Sequence, residues 1–145
     1  MIVKLPVTQI TPFWELIKFA ISKVYEVKTE DFRSIFNHTL HKLLNDKAQC
    51  WVRLNDKRML VALMITEIQV DKINGNKQLF VPVLYSWRPT GNDEWKEDFE
   101  FITKFAKKEN CKYITCESDI ARCWELYELC GFKEILRKYS LKVGD

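Results

Sequence analysis

Two histidines in 145 residues, and no cysteine pair spaced C-x-x-C, leave little from which to build a metal site. His38 and His41 lie in a helical stretch far in sequence from every cysteine except Cys50, so they read as exposed helix residues and no metal is expected. The five cysteines (Cys50, Cys111, Cys116, Cys123, Cys130) are odd in number, so no intramolecular scheme pairs them all. They read as reduced thiols of a cytoplasmic protein. No apolar stretch is long enough to cross a bilayer, and there is no low-complexity run or repeat. The opening "MIVKLPVTQIT" lacks the apolar core of a signal peptide. Basic runs are missing too. Lys and Arg number 23 against 20 Asp and Glu, a formal charge of +3 distributed along the chain, so neither nucleic acid nor membrane is an expected partner.

What is present is ordinary globular material, 47% hydrophobic and 30% charged. A chain of this length buries roughly 70% of the surface it would expose unfolded, enough for one domain over residues 1–145.

Residues 2–8 form a short apolar segment, and Thr11-Pro12 supplies a helix cap followed by proline at the first helical position. Phe13, Leu16, Ile17, Ala20 and Val24 recur at helical spacing as far as Tyr25. Thr29 caps a second helix with Glu30 and Asp31 in its first turn and a stripe of Phe32, Ile35, Phe36, Leu40, Leu43 and Leu44. The period then changes. "QCWVRLN", a turn at Asp56-Lys57, and "MLVALMITEIQV" read as a hairpin whose second arm is covered on both faces. "NGN" signals a second hairpin, and "QLFVPVLYSW" is the third arm. Pro82 inside that arm cannot donate to a ladder, so a bulge or a loss of pairing is expected there.

Helical period returns from Asp93 to Glu109, with Trp95, Phe99, Ile102, Phe105 and Ala106 on one face. "CKYITCES" reads as a strand, "IARCWELYELC" as a helix ended by Gly131, and "EILRKYSLKV" as a closing strand. The predicted architecture is mixed α/β (α+β): a mostly antiparallel central sheet of about six strands with helices on both faces.

Two stretches carry a resemblance. "VLYSWRPTGND" runs from a strand into a helix and resembles the [RQ]-x-x-G-x-[GA] loop of the GNAT acyltransferase superfamily, with Arg88 and Gly91 on the first two motif positions and Asp93 on the third. "IARCWELYELCGF" is similar to that family's N-A-x-x-x-x-L-Y-E-x-x-G-F helix, matching at Ala121, Leu126, Tyr127, Glu128, Gly131 and Phe132, with Ile120 in place of asparagine. The likeness in element order covers nearly the whole chain.

The resemblance implies an N-acyltransferase that moves an acetyl group from acetyl-CoA to an amine by direct attack in a ternary complex. It also implies that Val83 and Tyr85 of the strand, and Arg88, Thr90, Gly91, Asn92 and Asp93 of the loop, border coenzyme A. Tyr127 would protonate the departing thiolate, a task that suits a phenol. Glu67 and Glu117 each interrupt an apolar run and are the candidate general bases. Cys123 and Cys130 have no nearby histidine to activate them, which argues against covalent catalysis. The acceptor would be a small-molecule or protein amine, and a homodimer is compatible with the composition. The alternative is a GNAT-like binding or assembly module without a working cofactor site. Asp93 and Glu94, carboxylates where a phosphate would sit, and Ile120 favour it.

Overall fold

The computed structural model of the chain describes residues 1–25, 29–118 and 120–144, except for the side chains of Thr29 and Glu30. The cap expected of Thr29 and the charge expected of Glu30 therefore lie outside the described side chains.

The elements follow the order β1 (Ile2–Lys4), α1 (Ile10–Val24), α2 (Thr29–Leu44), β2 (Ala48–Leu54), β3 (Leu60–Val70), β4 (Lys77–Ser86), α3 (Asn92–Lys108), β5 (Tyr113–Cys116) and α4 (Ala121–Leu129). One five-stranded sheet has the spatial order β1-β2-β3-β4-β5. Every pair is antiparallel except β4 with β5, which α3 joins as a parallel crossover. Residues Ala62 to Thr66 of β3 are all buried, as a strand covered on both faces requires.

Helices cover the two faces separately. Ile10, Ile17, Ala20 and Ile21 of α1 and Leu43 of α2 pack on Cys50, Val52, Leu63 and Ile65. On the other side Trp95, Phe99, Ile102 and Ala106 of α3, with Leu126 of α4, pack on Trp51, Ala62, Met64, Leu79 and Val81.

α1 begins earlier than Thr11. A 3₁₀ turn over Val7–Gln9 leads into it, and Gln9 is the cap residue. Thr11 is thus inside the first turn, and so is Pro12, whose missing N–H has no intrahelical acceptor to lose there. At the other end of the chain, the Gly131 backbone (φ +93°) closes α4: Phe132 N–H donates to Tyr127 C=O at 2.9 Å and Gly131 N–H to Glu128 C=O at 3.0 Å. That double bond pattern satisfies the last carbonyls and needs a left-handed residue, which glycine adopts without strain.

The Pro82 expectation holds. Ile65 pairs with Val83 and Glu67 with Phe80, so two residues of β4, Val81 and Pro82, stand opposite the single Thr66. This bulge reverses the alternation of the strand. Leu79 and Val81 face α3 and α4, yet Val83 and Tyr85 face α1 and α2.

The closing strand does not form. Residues 133–144 adopt no regular structure, and the sheet has five strands instead of about six. The segment has strand-like alternation but makes no ladder with β5, so its apolar side chains remain in solvent.

Candidate active site

β4 and β5 stay together only briefly. Gln78, Leu79, Phe80 and Val81 pair with Tyr113, Ile114, Thr115 and Cys116; β5 then ends, while β4 continues to Ser86. From Pro82 onward the β5-side edge of β4 has no strand partner among the described residues, and its other edge remains bonded to β3. A short β5 and the bulge together open the sheet at this point. The Val83 side chain is buried in the α1/α2 core, so only its backbone belongs to the opening. Tyr85 is half-buried in an aromatic group, its ring 6.0 Å from that of Phe19 and 5.0 Å from that of Trp87.

Beyond β4 the chain turns through "RPTG", and Gly91 is the cap residue of α3 (φ −69°, ψ 156°). Arg88 is exposed, with the Met59 sulfur 4.0 Å from its Nη2. Thr90 Oγ1 donates to the Arg88 carbonyl at 3.4 Å. Asn92 and Asp93 are exposed in the first turn.

Glu94 is the carboxylate that folds back over the loop. Its Oε1 accepts from the Gly91 N–H at 3.3 Å, and its Oε2 accepts from Arg53 Nη1 at 2.8 Å. Arg53 Nε donates to Asp98 Oδ2 at 3.0 Å, and its guanidinium lies 5.1 Å above the Trp95 ring. Arg53 is 6% exposed and Asp98 1%, and Arg53 Nη2 is buried without a hydrogen-bond partner among the described residues. Burial raises the Asp98 pKa above its ordinary value, although Arg53 opposes the shift. A cavity of about 340 Å³ adjoins this group, bordered by Arg53, Asn55, Arg88, Thr90 and Glu94 among others.

On the α1/α2 face, a second cavity of about 500 Å³ lies beside the bulge. Phe80, Pro82 and Val83 of β4, Glu67 of β3, Tyr25 after α1, and His38 and Lys42 of α2 contribute to its walls. Lys42 Nζ donates to Glu67 Oε1 at 2.9 Å, with both side chains mostly buried. The Tyr25 phenol is pushed above its usual pKa by burial first, then by Glu117 and Glu67. Both candidate bases therefore lie within electrostatic reach of one hydroxyl. Glu117 itself is exposed, one residue beyond β5.

Tyr127 lies on α4. Its ring packs against Phe99 and Phe132, with centroids 6.3 and 5.6 Å away. Burial holds its hydroxyl protonated well above the ordinary range, and Cys116 and Cys123 add to the shift. No hydrogen bond of this hydroxyl is formed among the described residues. Burial makes Cys50, Cys116 and Cys130 poor nucleophiles, pushing Cys50 up to about 12 and raising the other two.

No family model matches the sequence, and no curated protein resembles it in sequence. Solved structures do resemble the fold. A ribosomal-protein-alanine N-acetyltransferase from Brucella melitensis superposes with a TM-score of 0.71 at 14% identity, covering 99% of this chain and 99% of that one. Glucosamine-6-phosphate N-acetyltransferase from Arabidopsis thaliana gives 0.66 at 18%, covering 99% and 98%. A predicted acetyltransferase from Clostridium acetobutylicum, solved with acetyl-CoA, gives 0.71 at 16%, covering 98% and 95%. The chain has the GNAT fold.

Within the GNAT fold the first resembling stretch, "RPTG", lies at the β4–α3 junction, and the second, "LYELCGF", on and after α4. The residues that sequence reasoning missed are Arg53, Asp98, Lys42 and Tyr25. A signal existed for the first two: Arg53 interrupts the buried strand "CWVRL", and Asp98 falls on the apolar stripe of α3 between Trp95 and Ile102. Lys42 and Tyr25 carry no comparable signal, because exposed lysines and helix-end tyrosines are ordinary.

Proposed function

We propose that this GNAT-fold chain is an N-acyltransferase that transfers an acetyl group from acetyl-CoA to an amine. The observation that carries the reading is the opening of β4 from β5 at Pro82, directly beside the cavity that holds Glu67. The unpaired β4 edge fits an extended, amide-bearing arm, and Arg88, Thr90 and the first N–H groups of α3 fit a pyrophosphate. Glu94 and Asp93 oppose that charge, so the fit at the loop is weakened but not abolished. Acetyl-CoA supplies an acyl carbon activated as a thioester.

The residues divide the remaining work. Glu67 draws an acceptor amine into the cavity and takes its proton; Glu117 is the nearby alternative. The free backbone N–H groups of β4 beyond Pro82 face the developing oxyanion. Tyr127 keeps a proton for the leaving sulfur. The named neighbours act on amines, a ribosomal protein alanine and an amino sugar, which supports an amine acceptor here. The five free cysteines support the cytoplasm as the working compartment.

A second reading, a GNAT-fold binding module without a working cofactor site, is favoured by one observation. Glu94 already takes the Gly91 N–H and pairs with Arg53, leaving the start of α3 partly self-satisfied. Calorimetric titration of the purified chain with acetyl-CoA separates the two. Micromolar binding is expected for the enzyme, whereas no heat and no thermal shift at millimolar ligand would leave the module.

A further inference from the structure

The cavity beside Pro82 carries a charge of each sign, where a site for a bare amine needs only one. It holds about 500 Å³, within the range of small-molecule sites. On one side α2 lines it with Ser34, His38 and Lys42, which recur at four-residue spacing and so share one helical stripe. On the other side stands Glu67 of β3, and Lys42 Nζ lies 2.9 Å from its Oε1. The two side chains are 28% and 22% exposed, largely withdrawn from bulk water although both line the cavity.

This ion pair acts as a filter. A plain ammonium drawn to Glu67 comes to lie beside the Lys42 ammonium, and like charges repel at that range. Taking Glu67 from Lys42 outright leaves a mostly buried ammonium without its counter-ion, which is costlier still. A plain anion drawn to Lys42 meets the same repulsion from Glu67. A molecule that carries both charges meets neither. Its amine lies on Glu67 and its anion on Lys42, so that four charges alternate in sign. An ammonium has three donors and a carboxylate two acceptor oxygens, so the bond from Nζ to Oε1 can persist while each group takes a second partner. With hydrogen bonds of ordinary length on both sides, the amine and the anion of such a molecule lie roughly 3–5 Å apart.

We infer, resting on the acetyl transfer proposed above, that the acceptor is a small zwitterion, a primary amine with a carboxylate or phosphate a few bonds away, and that Lys42 selects it by holding the anion. His38, one turn earlier on the same stripe, can donate a ring N–H to that anion. A protein amine is disfavoured. Beside an N-terminal amine stands a neutral amide, and beside a lysine amine a methylene chain, neither of which matches Lys42.

The test uses the full chain and matched pairs of acceptors: the common α-amino acids against their amides, β-alanine against its amide, and O-phosphoethanolamine against ethanolamine. Members of a pair differ chiefly in the anion. Binding is read first, without acetyl-CoA, from the shifts of 15N-labelled backbone signals. In at least one pair the anionic member should bind about tenfold or more tightly than its neutral partner, with the signals of Lys42 and Glu67 among those that move. Transfer is read next, with acetyl-CoA, as release of the thiol, and kcat/KM should follow the same order. The carboxylate and phosphate pairs distinguish which anion the cavity takes. Lys42→Met should reduce the preference to about threefold or less, and Lys42→Arg should keep it, with circular dichroism confirming that both variants fold. Because the preference compares two acceptors on one protein, a general loss of activity cancels, and the comparison on the unaltered chain needs no variant.

The two readings fail separately. An absence of acetyl-CoA binding sinks the transfer reaction, while the binding preference still judges the cavity. Three results would each overturn the zwitterion site: neutral partners bound as tightly as the anionic members in every pair; no member of any pair bound at about 10 mM; or a preference that survives Lys42→Met.

Discussion

Arg53 reaches from β2 to Glu94 in the first turn of α3, Nη1 to Oε2 at 2.8 Å, and holds that carboxylate over the cap residue of its own helix. The start of α3 is thus occupied by an internal anion. Asp93, which the motif comparison singles out, is merely exposed in the same turn. Glu94 therefore opposes a bound phosphate more directly than Asp93 does. Glu94→Gln should tighten coenzyme A binding by about tenfold at low salt and less at high salt, since a nearby carboxylate costs a phosphate about 1 kcal/mol or more and salt screens the repulsion. Glutamine still serves at this capping position, so the fold should be unaffected. Asp93→Gly should change affinity by about threefold or less, and Arg88→Ala should weaken it. Calorimetry at two salt concentrations measures all three. A Glu94→Gln affinity equal to wild type would show that the loop does not meet phosphate.

Tyr127→Phe removes a hydroxyl and leaves the ring that packs on Phe99 and Phe132. Turnover should fall about 100-fold while coenzyme A affinity stays within about twofold, because only the proton donor is lost. The melting temperature should hardly move, as no described residue bonds the hydroxyl. Parallel losses of stability and activity would instead mark Tyr127 as a packing residue.

Asp98 is the buried partner of Arg53, and burial raises its pKa in the fold. Removing it with Asp98→Ala leaves the buried guanidinium with Glu94 as its remaining carboxylate partner and should cost up to about 3 kcal/mol in denaturant unfolding. Arg53→Leu combined with Asp98→Leu should cost far less than that single change. The sign of the pH dependence follows from the raised pKa. The unfolded carboxyl ionises near 3.9 and the folded one higher, so the folded state binds the extra proton between the two values. The contribution of this group to stability is full below about pH 3.9 and is lost as pH rises through the folded pKa. Asp98→Asn should lack that fall, and unfolding midpoints measured from pH 4 upward test it. An identical slope in both proteins would assign the fall to other groups.

Much of the fold was legible because it is written at short range. The stripe of α3 follows from three- and four-residue spacing, as do those of α1 and α2 apart from Leu16 and Leu44, which are exposed; the stop at Gly131 follows from local backbone demands, and the bulge from the missing N–H of Pro82. The closing strand was read from the same kind of signal and did not form. Alternation shows that a segment suits a strand, but pairing needs an edge within reach, and that is a property of the whole sheet.

The sequence by itself determined the order of elements from β1 to α4, most of their amphipathic faces and the two stretches that point to the GNAT fold, since each depends only on neighbours along the chain. Tertiary structure alone decided which face β4 shows after its bulge, where Val83 passes to the α1/α2 side although Val81 faces α3. It also brought Tyr25, Lys42 and Glu67 from three separate parts of the chain to one cavity, and set Arg53 between Glu94 and Asp98. The physical reason is register. A one-residue offset in a strand inverts every side chain beyond it, and the partners of a buried charge are chosen by which elements meet across the sheet.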